Sequence, residues 1–340
     1  MLKAPFPYAG GKSRIASEVW LRLGDVPNYL EPFCGSAAML LARPHPGKVE
    51  TINDADSFVS NFYRAVKWAP DDVVEWCDQA VIESDLHARH RWLAHQAADL
   101  KEKLEADPLY YDVRIAGWWV WGISCWIGAG FAASKTPPRS MPILGNFGVG
   151  VHRGGIPHLG NTGMGMLRGG VPHLSDAGTG VHAEENRGDR LRLYFQQIAD
   201  RLREVRVCCG DWSRIMGPSV IRCGNPCGIF FDPPYLGADE RAAVYSTEDF
   251  TVANDVQKWA AEHGDDPVLR IALCGYEGHY EMPKGWTQLR WKATGGYGSQ
   301  GDKKGRANAS REVVWFSPHC LGRGLFDDAY EDDLELEAEE

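Results

Sequence analysis

Residues 113–175 contain no acidic residue, although the 340-residue chain has 46 Asp and Glu against 36 Lys and Arg. Residues 327–340, by contrast, lack Lys and Arg and hold nine of the acidic residues. Without these nine charges the formal net charge changes from −10 to −1. The overall acidity therefore does not exclude a polyanionic partner, because the distribution of charge matters as well as its sum. The acid-free segment retains several basic side chains, namely Arg114, Lys135, Arg139, Arg153 and Arg168.

Residues 115–133 have no charged residue of either sign, which raises the question of a membrane span. The stretch holds four glycines and four tryptophans, and the tryptophans are spread through its middle. Tryptophan prefers the interfaces of a bilayer to its centre. We therefore predict a buried helical segment and no membrane partner.

The glycines at the N-terminus do not complete a P-loop. Gly10-Gly11-Lys12-Ser13 lacks the glycine that this motif needs five positions before its second glycine, since Phe6 stands there. No predicted strand precedes it either, so an NTPase is excluded. Two glycines before a lysine at a helix start still favour an anion-binding turn.

The metal-binding patterns are also incomplete. Cys223 and Cys227 lack a clear second pair, so no metal site is predicted. His87, His90 and His95 lie among Arg and Asp residues, which favours a solvated helix face over a metal site. Nine cysteines without a secretory signal predict free thiols in a reducing cytoplasm.

Residues 228–235, Gly-Ile-Phe-Phe-Asp-Pro-Pro-Tyr, join a short apolar run to a carboxylate, two prolines and an aromatic ring. The run predicts a buried parallel strand, which the prolines end at Asp232. Because ligands of open α/β sheets bind outside the carboxyl ends of strands, we expect Asp232 and Tyr235 in a crevice. That pair suits a planar base with an exocyclic amine. A strand that ends in a proline turn with a surface tyrosine is the alternative.

Two other predicted strands also end near a carboxylate. The strand at residues 49–52 is followed by Asp54, and the strand that begins at Val205 leads to Asp211. Residues 29–40 predict a strand, a glycine turn and a helix, and Asp54 lies about twenty residues beyond that turn, where nucleotide-binding folds grip ribose hydroxyls. The remaining predicted strands are residues 269–274, 286–291 and 313–316, and the predicted helices cover residues 14–23, 58–104 and 189–203.

Together these motifs resemble the Dam family of adenine-N6 DNA methyltransferases over most of residues 5–317. Residues 9–12 are similar to its N-terminal motif, residues 31–36 to its cofactor turn and residues 232–235 to its DPPY motif. This order is that of the alpha class. Residues 124–128 are similar to the sequence that opens the family's recognition region, but residues 137–180 match poorly, so no target sequence is implied. Gly35-Ser36-Ala37 also departs from the commoner Gly-x-Gly.

The resemblance implies an α/β fold with a Rossmann-like, seven-stranded methyltransferase sheet and an inserted DNA-recognition subdomain. Residues 1–105 and 187–325 are predicted to form the catalytic domain, and residues 106–186 the inserted recognition region. Residues 326–340 are predicted to be an acidic, disordered tail.

The implied activity is site-specific methyl transfer from S-adenosylmethionine to the amine of a flipped adenine. The implied catalytic residues are Asp232, Pro233, Pro234 and Tyr235. The implied cofactor-binding residues are Tyr8, Ala9, Gly10, Gly11, Lys12, Glu31, Pro32, Phe33, Gly35, Ser36, Asp54, Asp211, Trp212 and Asp232. The predicted DNA-binding residues are Lys135, Arg139, Arg153, Arg168, Lys303, Lys304 and Arg306, the last three in a glycine-rich loop.

The expected partner is double-stranded DNA in the cytoplasm of a bacterium, for an enzyme encoded by the bacterium or by a phage. A homodimer, and a restriction-modification or an orphan role, are left open. Two alternatives also stay open: a methyltransferase that acts on another amino or amide substrate in RNA or protein, and a non-catalytic DNA-binding protein.

Overall fold

The structure is a computed structural model that describes residues 2–8, 11–126, 131–132, 187–234, 249–291 and 312–322. Its strands are β1 (Asn28–Glu31), β2 (Val49–Asp54), β3 (Val205–Cys209), β4 (Cys227–Phe231), β5 (Leu269–Tyr276), β6 (Thr287–Trp291) and β7 (Glu312–Phe316). Its helices are α1 (Ala16–Leu23), α2 (Ala38–Leu41), α3 (Ser57–Trp68), α4 (Pro70–Cys77), α5 (Glu83–Ala106), α6 (Val113–Cys125), α7 (Arg187–Leu202), α8 (Pro218–Ile221) and α9 (Asp249–His263).

The strands of the described residues form one seven-stranded sheet in the order β3-β2-β1-β4-β5-β7-β6. Strands β1 to β5 pair with one another in parallel. Strand β7 is antiparallel to both of its neighbours, β5 and β6. The prediction of a seven-stranded, Rossmann-like sheet is confirmed.

The sheet has a switch point between β1 and β4. Strands β2 and β3, which follow β1 in the chain, lie on one side of β1. Strands β4 and β5 lie on its other side. Connections that leave neighbouring strands in opposite directions open a crevice at the carboxyl ends of those strands. The ends of β1 and β4 therefore mark the place where a ligand is expected.

Strand β4 shows why the sequence folds in this way. All five of its residues are buried, and its side chains alternate between two apolar cores, one on each face of the sheet. Phe230 faces the core that includes helices α3, α6 and α7, whereas Ile229 and Phe231 face the core that includes α9. Because Pro233 and Pro234 follow, the strand ends at the crevice, as predicted.

The N-terminal segment is anchored before it reaches this crevice. The ring of Phe6 lies 4.8 Å from that of Trp119 and 5.3 Å from that of Phe62, between ring centroids. The Tyr194 hydroxyl donates a hydrogen bond of 2.6 Å to the Lys3 carbonyl. These contacts fix the path of the chain toward Lys12.

Helix α6 begins the region predicted as an insertion, and it packs with α3, α4 and α5. Trp119 and Trp121 are fully buried, so the predicted buried helical segment is confirmed over the span of α6. No helix in the described part of the chain is long and apolar enough to cross a membrane. Most of residues 106–186 and all of the acidic tail lie outside the described residues, so the domain division stays a prediction.

One expectation for the long helix α5 is wrong. His90 does not lie on a solvated face, because it is 3% exposed. Its ring stacks on Trp126 at 4.8 Å, and its Nδ1 accepts a hydrogen bond of 3.0 Å from the Ala132 amide. The chain that follows α6 covers this position, and a helical pattern cannot show that tertiary contact.

Candidate active site

The turn after β1 brings the backbone close to the expected ligand. Gly35 has a φ of 44°, in the left-handed region that glycine tolerates best. A Cβ atom at this position would lie 2.5 Å from the ring of Tyr8, so a side chain would also collide with that ring. Glycine is thus required here for both conformation and space.

Asp54, at the end of β2, is tied to that turn. Its Oδ2 accepts a hydrogen bond of 2.9 Å from the Gly35 amide, and its Oδ1 accepts one of 2.9 Å from the Asp56 amide. Burial, with repulsion from Asp56, raises the pKa of Asp54 from 3.8 to about 7. The structure therefore brings together the two parts of the predicted nucleotide site.

The loop after β3 completes this side of the crevice. The Asn53 side-chain amide donates to the Pro32 carbonyl at 3.0 Å and to the Gly210 carbonyl at 2.9 Å. Asp211 accepts a hydrogen bond of 2.9 Å from the Ser213 amide and caps the short helical turn Trp212–Ile215.

Phe33 and Trp212 form an aromatic pair beside these polar groups. Their rings are stacked at 6.3 Å with an interplanar angle of 28°. The ring of Trp212 also lies 5.9 Å from that of Phe231, in an edge-to-face arrangement. The ends of β1, β3 and β4 therefore share one apolar surface, which suits a flat ring.

At the end of β4, Asp232 pairs with a lysine from the N-terminal motif. Lys12 Nζ lies 2.9 Å from Asp232 Oδ1 and 3.6 Å from Glu312 Oε2. Lys12 is 3% exposed, whereas the side chain of Asp232 is 19% exposed and so still reaches solvent. The carboxylate thus has a buried counter-ion behind it and an accessible side.

The charge state of Lys12 follows from these neighbours. Burial alone lowers the pKa of a lysine, but the attraction of Asp232 and Glu312 outweighs it, so the pKa of Lys12 is raised above its ordinary value. Lys12 is therefore an ammonium at neutral pH. The ring of Trp291, at the end of β6, lies 5.8 Å from Nζ.

Glu31, at the end of β1, lies beneath the turn rather than in the open crevice. Its Oε2 accepts hydrogen bonds of 3.1 Å from the Tyr29 hydroxyl and 3.1 Å from the Leu40 amide, and the residue is 2% exposed. Burial raises the pKa of Glu31 from 4.5 to about 8. The carboxyl group stabilises the start of α2, and its predicted contact with the cofactor stays a prediction.

Residues 8–117 match the family model of D12 class N6 adenine-specific DNA methyltransferases. The match covers about the first third of the chain, and this part of the sequence is similar to that class. No curated protein matches the sequence. This similarity supports adenine-N6 methylation of DNA, the activity predicted from the motifs.

The D12 match includes Lys12, the turn at residues 31–36 and Asp54, but it ends before Asp232. The catalytic role of Asp232, Pro233 and Pro234 therefore stays a prediction that rests on their motif and position. Pro233 is buried and Pro234 is half-buried at the end of β4.

Ten of the residues predicted for the site lie outside the described residues. They are Ala9, Gly10, Lys135, Arg139, Arg153, Arg168, Tyr235, Lys303, Lys304 and Arg306. The predicted DNA-binding set belongs entirely to this group, so its role stays a prediction.

Sequence reasoning missed two residues that lie beside Lys12, Glu312 and Trp291. Both stand at strand ends that carry no recognisable motif. They meet Lys12 because β7 runs against its neighbours, which brings its first residue to the edge where the parallel strands end. The only signal in the sequence was a glutamate directly before an apolar strand.

Proposed function

We propose that the enzyme transfers a methyl group from S-adenosylmethionine to the amine of an adenine that has flipped out of double-stranded DNA. The observation that supports this most is the position of Asp232. It lies at the switch point of the sheet, is paired with Lys12 and remains accessible beside the nucleotide-type crevice.

The crevice fits the cofactor by its chemistry. Asp54 offers a carboxylate to the ribose hydroxyls, and the Phe33–Trp212 pair offers an apolar surface to the adenine ring. Gly35 allows the backbone to approach closely. When bound, S-adenosylmethionine supplies an electrophilic methyl group on a positively charged sulfur.

Asp232 and the Pro233 carbonyl are proposed to accept one hydrogen bond each from the two N–H groups of the adenine amine. The amine is a poor nucleophile, because its lone pair is delocalised into the ring. Two fixed acceptors favour a tetrahedral nitrogen, which recovers the lone pair and stabilises the positive charge that develops on it. Because Lys12 holds Asp232 in place, orientation contributes a large part of the rate.

The amine is inaccessible inside a duplex, so the target adenine has to leave the base stack at a cost of about a few kcal/mol. Tyr235 is proposed to stack on the flipped base, which returns about 1–3 kcal/mol. The exposed face of Asp232 leaves room for a base to enter.

The direct experiment is to express the chain in a host that lacks adenine methylation and to sequence its DNA for N6-methyladenine. We expect methylated adenines within one short sequence motif. Methylation that appears in RNA or protein but not in DNA would contradict the proposal.

Asp232→Ala tests the catalytic step. We expect methyl transfer to fall below detection while the dissociation constant for S-adenosylmethionine changes by less than about threefold, because the variant removes the amine acceptor and leaves Asp54 in place. Tyr235→Ala should reduce turnover less, because stacking and hydrogen-bond acceptance are separate contributions.

Asp25→Ala is the matched control, since the side chain of Asp25 is 76% exposed and pairs only with Arg43 among the described residues. Single-turnover methylation and calorimetry on the three variants separate chemistry from binding. Wild-type turnover in Asp232→Ala would rule out this mechanism.

A further inference from the structure

The Lys12 ammonium pairs with two carboxylates, those of Asp232 and Glu312. Asp232 belongs to the Asp-Pro-Pro-Tyr motif, whereas Glu312 belongs to no motif found in the sequence. Lys12 Nζ lies 2.9 Å from Asp232 Oδ1 at the end of β4 and 3.6 Å from Glu312 Oε2 at the start of β7. The side chain of Glu312 is 7% exposed. A buried carboxylate of this kind is costly to fold unless it is paired, so its presence needs an explanation.

The topology accounts for the position of Glu312. In the sheet register, Glu312 stands opposite Tyr276 of β5 and Trp291 of β6. Because β7 is antiparallel, its first residue lies at the edge where β4 and β5 end. Glu312 thus comes from a part of the chain remote from Lys12, and it meets Lys12 at the crevice, where Lys12 also pairs with Asp232.

The surroundings of Lys12 leave its ammonium little freedom. Among the described residues, the titratable groups near this centre include Asp232, Glu312, Cys274, Glu31 and Tyr280, and Trp291 lies 5.8 Å from Nζ. Burial raises the pKa of Cys274 well above its ordinary value, so its thiol is neutral. Lys12 thus pairs with two carboxylates of the described residues, Asp232 and Glu312.

We propose that Glu312 is a positioning residue for methyl transfer, which holds the Lys12 ammonium against Asp232 and shares its positive charge. This inference rests on the proposed function. Glu312 fixes the ammonium, and through it the orientation of the Asp232 carboxylate. By taking up part of the charge of Lys12, Glu312 also leaves Asp232 with more negative charge to stabilise the developing ammonium of the substrate.

Glu312→Gln is the first test. We expect kcat to fall about tenfold to hundredfold, because a small displacement of a reacting group has an effect of that size. The KM for S-adenosylmethionine should stay within about twofold, because Asp54 and the turn at Gly35 are untouched. A general packing defect would change both constants and the midpoint of urea unfolding.

Glu277→Gln is the matched control. Glu277 directly follows β5 and pairs with Arg290 at 2.6 Å, but its side chain is 48% exposed. The Glu277→Gln substitution removes a carboxylate from the same edge of the sheet and leaves the Lys12 ion pairs in place. We expect wild-type kcat and KM in this variant.

A double-mutant cycle tests whether Glu312 acts through Lys12. In a Lys12→Met background, Glu312→Gln should reduce kcat no further, because the ammonium that Glu312 positions is gone. Equal losses in the two backgrounds would overturn the inference. Wild-type kcat in Glu312→Gln would overturn it as well.

Glu312→Asp keeps the test decisive if Glu312→Gln does not fold. The shorter side chain retains the charge but withdraws it from Nζ, so we expect an intermediate loss of kcat with unchanged KM; an unchanged kcat would contradict the inference. Throughout, wild-type methylation of adenine in DNA reports on the proposed function independently. If the wild type methylates adenine and the Glu312 variants have the same kcat, the positioning role is contradicted and the proposed function is not.

Discussion

At the scale of single residues, Asp54 is the group whose ionisation we propose to couple to cofactor binding. Both carboxylate oxygens already accept backbone hydrogen bonds, from Gly35 and Asp56, and burial raises the pKa to about 7. The group is therefore protonated in part at neutral pH in the absence of a ligand. A ribose hydroxyl binds more strongly to the ionised form, because a charge-assisted hydrogen bond is the stronger one.

We accordingly predict that the affinity for S-adenosylmethionine rises as the pH increases through about 7. The dissociation constant should fall about tenfold between about pH 6 and pH 8, which corresponds to roughly one pK unit of coupling. Isothermal titration calorimetry across this range measures the slope directly. Asp54→Ala should raise the dissociation constant about tenfold or more at pH 8.

Asp54→Asn is the control for this titration, because an amide keeps the shape and cannot ionise. Its affinity should be lower at pH 8 and independent of pH over the same range. A wild-type pH slope in the Asn variant would assign the titration to another group.

The sequence predicted these residues better than it predicted their partners. Asp54, Asp211 and Asp232 were identified because each carboxylate follows an apolar run, and that pattern is local. The contact between Lys12 and Asp232 was not predicted, since it joins positions that only the fold brings together. Glu312 was missed for the same reason.

At the scale of elements, β4 and β7 show what a local pattern can establish. Both were predicted as strands from their apolar residues, and both are strands of five residues. The antiparallel insertion of β7 between β5 and β6 was not predicted, because strand order depends on long-range pairing. The chemistry at the start of β7 could be found only after the topology was known.

Helix α5 contacts the chain that follows α6, and this contact is expected to make the stability depend on pH. His90 stacks on Trp126 and accepts a hydrogen bond from the Ala132 amide. Burial, followed by the charges of His87 and Arg91, lowers the pKa of His90 below 6.5. The unfolded chain therefore binds a proton at this residue more readily than the folded one, so stability is lost as the pH falls through 6.5.

We predict that His90→Gln flattens the decrease in unfolding free energy between about pH 7.5 and pH 5.5, because glutamine does not titrate. At neutral pH the variant should cost about 1–3 kcal/mol through lost stacking and a weaker acceptor for the Ala132 amide. Urea denaturation at both pH values measures the two effects.

His95→Gln is the control: His95 is an exposed residue of the same helix, and its variant should keep the wild-type slope. Equal slopes in all three proteins would show that His90 does not couple stability to pH.

At the scale of the whole molecule, the charges are segregated along the chain. Residues 113–175 hold no acidic residue, and residues 327–340 hold nine. A DNA-binding surface needs basic groups that carboxylates nearby do not neutralise, so the acid-free segment is the better place for it. The tail either adds solubility or competes with DNA for basic groups, and it lies outside the described residues, as do Arg153 and Arg168.

The near-repeat in the acid-free segment gives the last prediction. Arg153-Gly-Gly-Ile-Pro-His-Leu and Arg168-Gly-Gly-Val-Pro-His-Leu place an arginine at the same position of two related segments. Arginine is the usual reader of guanine edges in the major groove, and a bidentate contact contributes about 1–3 kcal/mol of discrimination against the wrong base. We therefore expect at least one of the two to contact a base, so that Arg153→Ala or Arg168→Ala relaxes the methylated sequence at one position. A phosphate contact would instead weaken methylation of all sites alike and reduce its salt dependence. Methylation profiling on randomised duplexes distinguishes the two, and an unchanged site preference in both variants would exclude base reading by this repeat.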